Sequence, residues 1–133
     1  MSDRVIPAPP MNGESEPFYR AAREGRFMIR VCTECKKPHW YPRTQCPYCL
    51  GETVWMEASG KGEIYSYSVM RRADPPYAIA YVTLAEGPKM MTNLVECDFN
   101  RLAIGQSVEL VLKPTEGGPP VPCFRPRAKS QTP

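Results

Sequence analysis

In RFMIRV, residues 26–31, Phe27, Ile29 and Val31 alternate with Met28 and Arg30. A period of two residues marks a strand with one face turned to a core. HWYP at 39–42 and ETVWMEA at 52–58 are shorter strand-like pieces. From Gly60 onward the strand signal dominates, in GEIYSYSVM, YAIAYVTLA, KMMTNLVEC and SVELVLK, with VPCF as a fifth piece. Turn and loop signals separate them: RRADPP, EGP and DFNRLAIGQ. In YAIAYVTLA, Ala78, Ala80 and Val82 share one face and Tyr77, Ile79 and Tyr81 the other. Both sets are apolar or aromatic, which predicts a strand covered on both sides. Five short strands without a clear helix predict a small Greek-key barrel.

Only ESEPFYRAAREGR, residues 14–26, carries a helical pattern. Ser15 is placed to cap it, Pro17 is tolerated in its first turn, and Gly25 offers a left-handed stop. So short a helix does not hold in water alone, so it must dock, on its own domain or on a partner. The chain divides into an N-terminal arm and helix (1–25), a cysteine-bearing region (26–58), the barrel (60–127) and a tail (128–133). Glycines at 60 and 62 form the joint between region and barrel.

Sixteen prolines in 133 residues change this picture at the ends. VIPAPPMNGESEP and KPTEGGPPVPCFRPR read as extended arms, too polar and proline-rich for a core and long enough to reach across another subunit. The formal net charge is +3, with both signs mixed along the chain. Four thiolates around one dication would lower it to about +1. That is far from the basic stripe of a typical nucleic-acid binder. No apolar run is long enough to cross a membrane, and MSDRVIPAPP has no signal-peptide pattern. The default expectation is a cytoplasmic protein, in a reducing compartment where close cysteine pairs bind metal more often than they form disulfides.

The candidate chemistry lies in RVCTECKKPHWYPRTQCPYCLGE. Cys32/Cys35 and Cys46/Cys49 are two C-x-x-C pairs with ten residues between them. Each pair puts two sulfurs on one side of a turn, and a hairpin brings the turns face to face around a tetrahedral ion. Zinc suits such a site, and iron accepts the same four-sulfur cage. Four protein ligands leave no open position, which argues for scaffold and against water activation. His39, the one histidine, therefore reads as structural, and Trp40, Tyr41 and Trp55 as the small core beside the metal. Cys97 and Cys123 sit in apolar runs and read as buried free thiols. A catalytic triad or phosphate loop is not evident.

The order of these features is specific. FYRAAREGRF, the two cysteine pairs, G-x-I-Y-S-Y-S-V, PPYAIAYVTLAEGPKMMTNLVECD and IGQSVELVL together resemble the DUF35-type family over residues 15 to 127. In that family a rubredoxin-like zinc ribbon precedes an OB-fold. The resemblance implies a mainly β fold: N-terminal helix, zinc ribbon, then a five-stranded OB-fold barrel. It implies one structural zinc on Cys32, Cys35, Cys46 and Cys49. It also implies an accessory role beside a thiolase-like acyl-CoA enzyme (thiolase, acyltransferase or retro-aldolase) or a hydratase, with a coenzyme A thioester as ligand of the complex. One departure is that Lys36 and Leu50 stand where many zinc knuckles have glycine.

Three functions follow as expectations. In the first, the chain is catalytically inert and docks on a thiolase-like subunit through its ribbon and arms, with Phe124 as the anchor and Arg125 and Arg127 beside it, the alternative being that Phe124 closes the barrel. Arg71 and Arg72 would meet a CoA phosphate, against the plainer reading of a solvated loop. In the second, Tyr65, Tyr67, Tyr77 and Tyr81 stack bases of single-stranded nucleic acid, a reading that the charge does little to support. In the third, an iron-loaded ribbon carries electrons.

Overall fold

The computed structural model describes residues 5–127; the expected tail at 128–133 lies outside the described residues. The chain runs α1 (Glu16–Arg23), β1 (Met28–Cys32), β2 (Pro38–His39), β3 (Thr53–Glu57), β4 (Lys61–Met70), β5 (Tyr77–Leu84), β6 (Lys89–Leu94), β7 (Ser107–Thr115) and β8 (Gly118–Pro126), with a 3-10 turn at Phe99–Arg101. The first three strands form an antiparallel sheet in the order β2-β1-β3. The last five close a barrel in the order β4-β5-β6-β8-β7. All its pairings are antiparallel except β6 with β8, where Leu94 faces Phe124.

Alternation builds the barrel core. Ile64, Ala78, Ala80, Val82, Leu84, Met90, Leu94, Val108 and Phe124 are all buried and line its interior. Sheet and barrel share this core through aromatic rings. Phe18 of α1 packs edge-on to Trp40 at 4.9 Å, and Phe27 sits 6.3 Å from Phe124. Helix α1 thus docks on its own chain, against β8 and β1, and buries Phe18, Tyr19, Ala21 and Ala22. Ser15 is its N-cap residue but makes no side-chain capping bond. Its hydroxyl instead accepts from the Asn12 N–H at 3.1 Å, and Asn12 Oδ1 accepts from the Ser15 N–H. The turn before the helix is therefore closed by Asn12.

Four expectations need correction. The segment from Lys113 to Arg127 is not a free arm: it completes β7 and forms β8. Prolines are admitted there because β8 pairs at only one position with β6, leaving several of its residues without a ladder donor to supply on that side. Phe124 is fully buried in the barrel, so it cannot anchor a partner. The N-terminal arm also lies on its own chain where it is described. Pro7 bridges Glu116, the Glu116 N–H donates to the Ile6 carbonyl at 2.8 Å, and Ala8 sits against Gly118. Finally, β5 is fully covered on one side and only partly on the other, where Tyr77 and Ile79 are half-buried. Ala78, Ala80 and Val82 face the core, whereas Tyr81 is 48% exposed on the outer face.

Candidate metal centre

The first two cysteines follow from β1 and the second two precede β3, whose register with β1 pairs Cys32 with Thr53. Each pair sits in a turn of the same construction. The Lys36 N–H donates to the Cys32 carbonyl at 3.1 Å, and the Leu50 N–H to the Cys46 carbonyl at 2.9 Å. Lys36 (φ +67°) and Leu50 (φ +66°) both adopt the left-handed conformation that glycine takes more easily. The absence of glycine at these two positions therefore leaves the knuckle geometry intact. Gly51 allows the two turns to close: a Cβ there would lie 3.1 Å from Cys32 Sγ.

The four sulfurs converge within 4.8 Å of one another. Cys32 and Cys49 are 3.5 Å apart and Cys35 and Cys46 3.6 Å apart. A tetrahedron with metal–sulfur bonds of about 2.3 Å has edges of about 3.8 Å, so the cluster is near the size that zinc requires. The backbone N–H groups of Glu34 and Cys35 point at Cys32 Sγ, and that of Tyr48 at Cys46 Sγ, each at 3.3 Å. These donors favour thiolate. The Cys35 N–H, ahead of opposing desolvation and then the Glu34 N–H, pulls the Cys32 thiol down to about 6. Cys49 goes the other way, up to about 11: the Gly51 N–H favours its thiolate but is outweighed by the Cys32 thiol bonded to it, then desolvation and the other two cysteines. Four thiolates at this distance repel one another, and a divalent cation removes that conflict. The donor set thus fits zinc in a closed structural site.

His39 stands outside the cage. It faces Arg30 across the β1–β2 ladder and is 1% exposed. Neither ring nitrogen has a hydrogen-bond partner among the described residues. Burial first, and after it the charges of Arg30 and Arg43, lower its pKa, while the Arg43 backbone beside the ring, outside hydrogen-bond geometry, pulls the other way. The ring is neutral and structural. Arg30 is held beside it by the Thr53 carbonyl at 3.0 Å and by the Trp55 ring at 4.3 Å.

The other candidates are dispersed. Arg71 and Arg72 are both exposed in the β4–β5 loop, and Arg71 Nη2 donates to Asn100 Oδ1 at 3.1 Å. Arg125 is engaged within the chain, by Glu96 and Glu109 at 2.8 Å each, and Lys113 also meets Glu96. Arg127 is exposed. Cys123 is buried, but Cys97 only half so. On the outer face of β4–β6, Tyr65 and Tyr81, two of the tyrosines named above for base stacking, are exposed beside Met91, which the sequence did not single out.

A thiolate-lined knuckle pair joined to a closed five-stranded barrel defines a zinc-ribbon/OB-fold protein. Two family models divide the chain accordingly: the rubredoxin-like zinc ribbon domain of ChsH2 matches residues 20–54, and the C-terminal OB-fold domain of ChsH2 matches residues 55–113. The chain belongs to the DUF35 family. It is 34% identical over 104 residues to a DUF35 domain-containing scaffold protein of Methanocaldococcus jannaschii, covering 71% of this chain and 74% of that one. It is 34% identical over 127 residues to a probable enoyl-CoA hydratase alpha subunit of Thermomonospora curvata, covering 90% of this chain. There it spans only 40% of the relative's length. Among solved structures, a chain of the Ltp2-ChsH2(DUF35) aldolase superposes with a TM-score of 0.78 at 32% identity, over 89% of this chain and 98% of that one. No helix among the described residues is long and apolar enough to cross a membrane.

Proposed function

We propose that this protein is an accessory, non-catalytic zinc subunit of a thiolase-like acyl-CoA enzyme, docked on that enzyme and bordering its CoA and acyl site. The observation that carries the reading is the closed four-cysteine centre. Its ligands come entirely from the chain, so the metal serves to hold the ribbon and has no position for water or substrate. The one histidine is buried and neutral, with no nucleophile bonded to it among the described residues. The similarity to a DUF35 chain of an aldolase and to a hydratase subunit supports an acyl-CoA setting. The ribbon surface supports docking: Tyr48, Leu50 and Val54 are 59%, 73% and 47% exposed, large apolar groups that the chain's own core leaves uncovered. Arg127 adds an exposed cation where β8 ends.

Co-expression with thiolase-like proteins, size-exclusion chromatography and a CoA-thioester assay test the reading. The expected result is co-elution, with activity only in the complex. A chain that forms or cleaves a thioester unaided overturns the non-catalytic role. Thiolase-like proteins that elute separately and work at full rate without it overturn the partnership.

A further inference from the structure

We infer that Cys49 is an oxidation site for peroxide, and that its reaction with Cys32 releases the metal and undoes the docking tip of the ribbon. The thiol chemistry rests on the zinc reading of the four-cysteine centre, and its consequence for docking rests on the accessory-subunit reading above. The four sulfurs are not equally accessible. Cys32 and Cys46 are buried and Cys35 is half-buried, whereas Cys49 is exposed. Its neighbours Pro47, Tyr48 and Leu50 are exposed as well, so the second turn opens to solvent from 47 to 50. Lys37 Nζ lies over the Tyr48 ring at 4.9 Å and sets one positive charge beside that turn. An accessible thiolate in an electropositive setting is the kind that peroxide oxidises. Bound zinc keeps all four sulfurs in the thiolate form, which is the nucleophile.

A resolving sulfur is within reach. Cys32 Sγ is 3.5 Å from Cys49 Sγ, and the N–H groups of Glu34 and Cys35 hold it there at 3.3 Å each. The other two sulfurs, of Cys35 and Cys46, are 3.6 Å apart. Both contacts run from one turn to the other, across the site. In the first step Cys49 Sγ attacks the O–O bond of hydrogen peroxide. An S–O bond forms, hydroxide leaves, and the sulfur is oxidised to sulfenic acid as the peroxide is reduced. In the second step Cys32 Sγ attacks Cys49 Sγ, an S–S bond forms, the S–O bond breaks and its oxygen leaves as hydroxide. Protons from solvent turn both hydroxides to water. Together the steps convert two thiolates, one hydrogen peroxide and two protons into one disulfide and two waters. Only Cys35 and Cys46 remain as ligands, and two thiolates do not hold the ion as four do. Ile29 is the one large aliphatic side chain buried between residues 28 and 57, so little apolar burial supports the ribbon once the ion has gone. Tyr48 and Leu50 flank Cys49, so the surface used for docking is the surface that loosens.

The test treats the full-length, zinc-loaded protein with hydrogen peroxide, follows released zinc with a chromogenic chelator, and traps sulfenic acid with dimedone. Trypsin cuts after Lys36 and Arg43, which puts Cys32/Cys35 and Cys46/Cys49 on separate peptides. The expected result is loss of the zinc in step with a disulfide that joins the two peptides, and a dimedone adduct on Cys49 ahead of the other three ligands. Dithiothreitol and added zinc should restore the ion. Cys49→His keeps a fourth ligand for zinc but removes the exposed sulfur, and should slow peroxide-driven release at least about tenfold. Should that variant bind no zinc, the adduct and the peptide map of the wild-type protein decide alone. A first adduct on Cys32, Cys35 or Cys46, a disulfide confined to one peptide, or zinc retained under excess peroxide overturns the inference. For docking, oxidised chain freed of peroxide is mixed with the thiolase-like subunit. Co-elution is expected to be lost, and to return with dithiothreitol and zinc. Oxidised chain that co-elutes as fully as the reduced form overturns the coupling to docking. Reduced, zinc-loaded chain that fails to co-elute removes the accessory-subunit reading while the thiol chemistry stands. A chain that takes up no zinc removes the zinc reading, and the inference with it.

Discussion

The zinc ribbon and the barrel are both built from short antiparallel strands, but they are stabilised by different means. Within residues 61–126 the barrel buries a ring of apolar side chains from all five strands, from Ile64 to Phe124. Burial of that kind contributes roughly 25 cal/mol per Å² of apolar surface and needs no ligand. Between residues 28 and 57 the buried set is Ile29, Cys32, His39, Pro42, Cys46, Gly51 and Thr53. Two of those are thiols of the metal cluster, one is an unpartnered imidazole, and only Ile29 is a large aliphatic. Three strands with so little apolar surface do not offset the entropy of ordering the chain. The cation does, so the ribbon's fold is a binding equilibrium and the barrel's is not. Tyr48 and Leu50 can then remain exposed at the ribbon tip, because folding there does not depend on hiding them.

The largest effect that separates the two regions is loss of a thiolate. Cys46→Ser is expected to lower zinc content and to cost the ribbon on the order of 5 kcal/mol or more. Hydrogen exchange should then show residues 28–57 exposed while β4–β8 stay protected. Full zinc occupancy in this variant would refute the ligand assignment. The converse variant is Phe124→Ala, expected to destabilise the barrel by about 3–5 kcal/mol through a buried cavity. Its zinc content should stay unchanged at low temperature. Because Phe124 also touches Phe27, which in turn packs edge-on to Phe18 of α1 at 6.0 Å, the melting of α1 should move with that of the barrel. If the barrel loses stability and α1 does not follow, the shared aromatic core is not the coupling.

The joint between the regions gives a smaller effect. A Cβ on Gly62 would lie 2.7 Å from both the Thr83 carbonyl oxygen and Val82 Cγ1. Gly60 has φ +81° and sits 3.0 Å, at the Cβ position, from Leu110 Cβ. Gly62→Val should therefore cost about 1–3 kcal/mol by overpacking the β4–β5 ladder. A thermal melt with no change would mean that β5 moves away without loss, and that the joint has no special geometry.

How much of this was legible beforehand differs between the same two regions. The ribbon was written in four cysteines whose spacing is itself the geometry, so the turns, the hairpin and the donor set could all be read. The barrel's strands were legible from alternation, and VPCF did mark the strand Gly118–Pro126. What could not be read was which face of a strand meets water. Tyr81 and Ile79 are as apolar as Ala80 and Val82, and only closure of the barrel decides which set is inside. Proline misled for a related reason. Rich in proline, 113–127 resembles an arm locally, while its role as β7 and β8 depends on partners far away in sequence. Phe124 was read in consequence as a partner anchor, with closure of the barrel as the alternative, and its burial bears out the alternative.

The smallest effect concerns His39, and it belongs to the ribbon alone. The ring is buried with no hydrogen-bond partner among the described residues, and burial together with the charges of Arg30 and Arg43 lowers its pKa below the ordinary value of 6.5. The unfolded chain therefore binds this proton more readily than the folded one. Stability should be fully present above about pH 6.5 and should fall as the pH drops from there towards the folded-state pKa, below which it levels off. One proton sets the slope at no more than about 1.4 kcal/mol per pH unit. Acid also protonates the zinc thiolates, so the measurement is a difference: ribbon stability by hydrogen exchange from pH 7.5 to 5, in the wild-type protein and in His39→Phe. Phenylalanine removes the titration without breaking a hydrogen bond seen here, so its profile should be the flatter by that slope. Equal slopes would place the whole acid sensitivity at the metal. A wild-type ribbon that gains stability in acid would mean that the charged ring finds a partner, which reverses the sign argued from its burial.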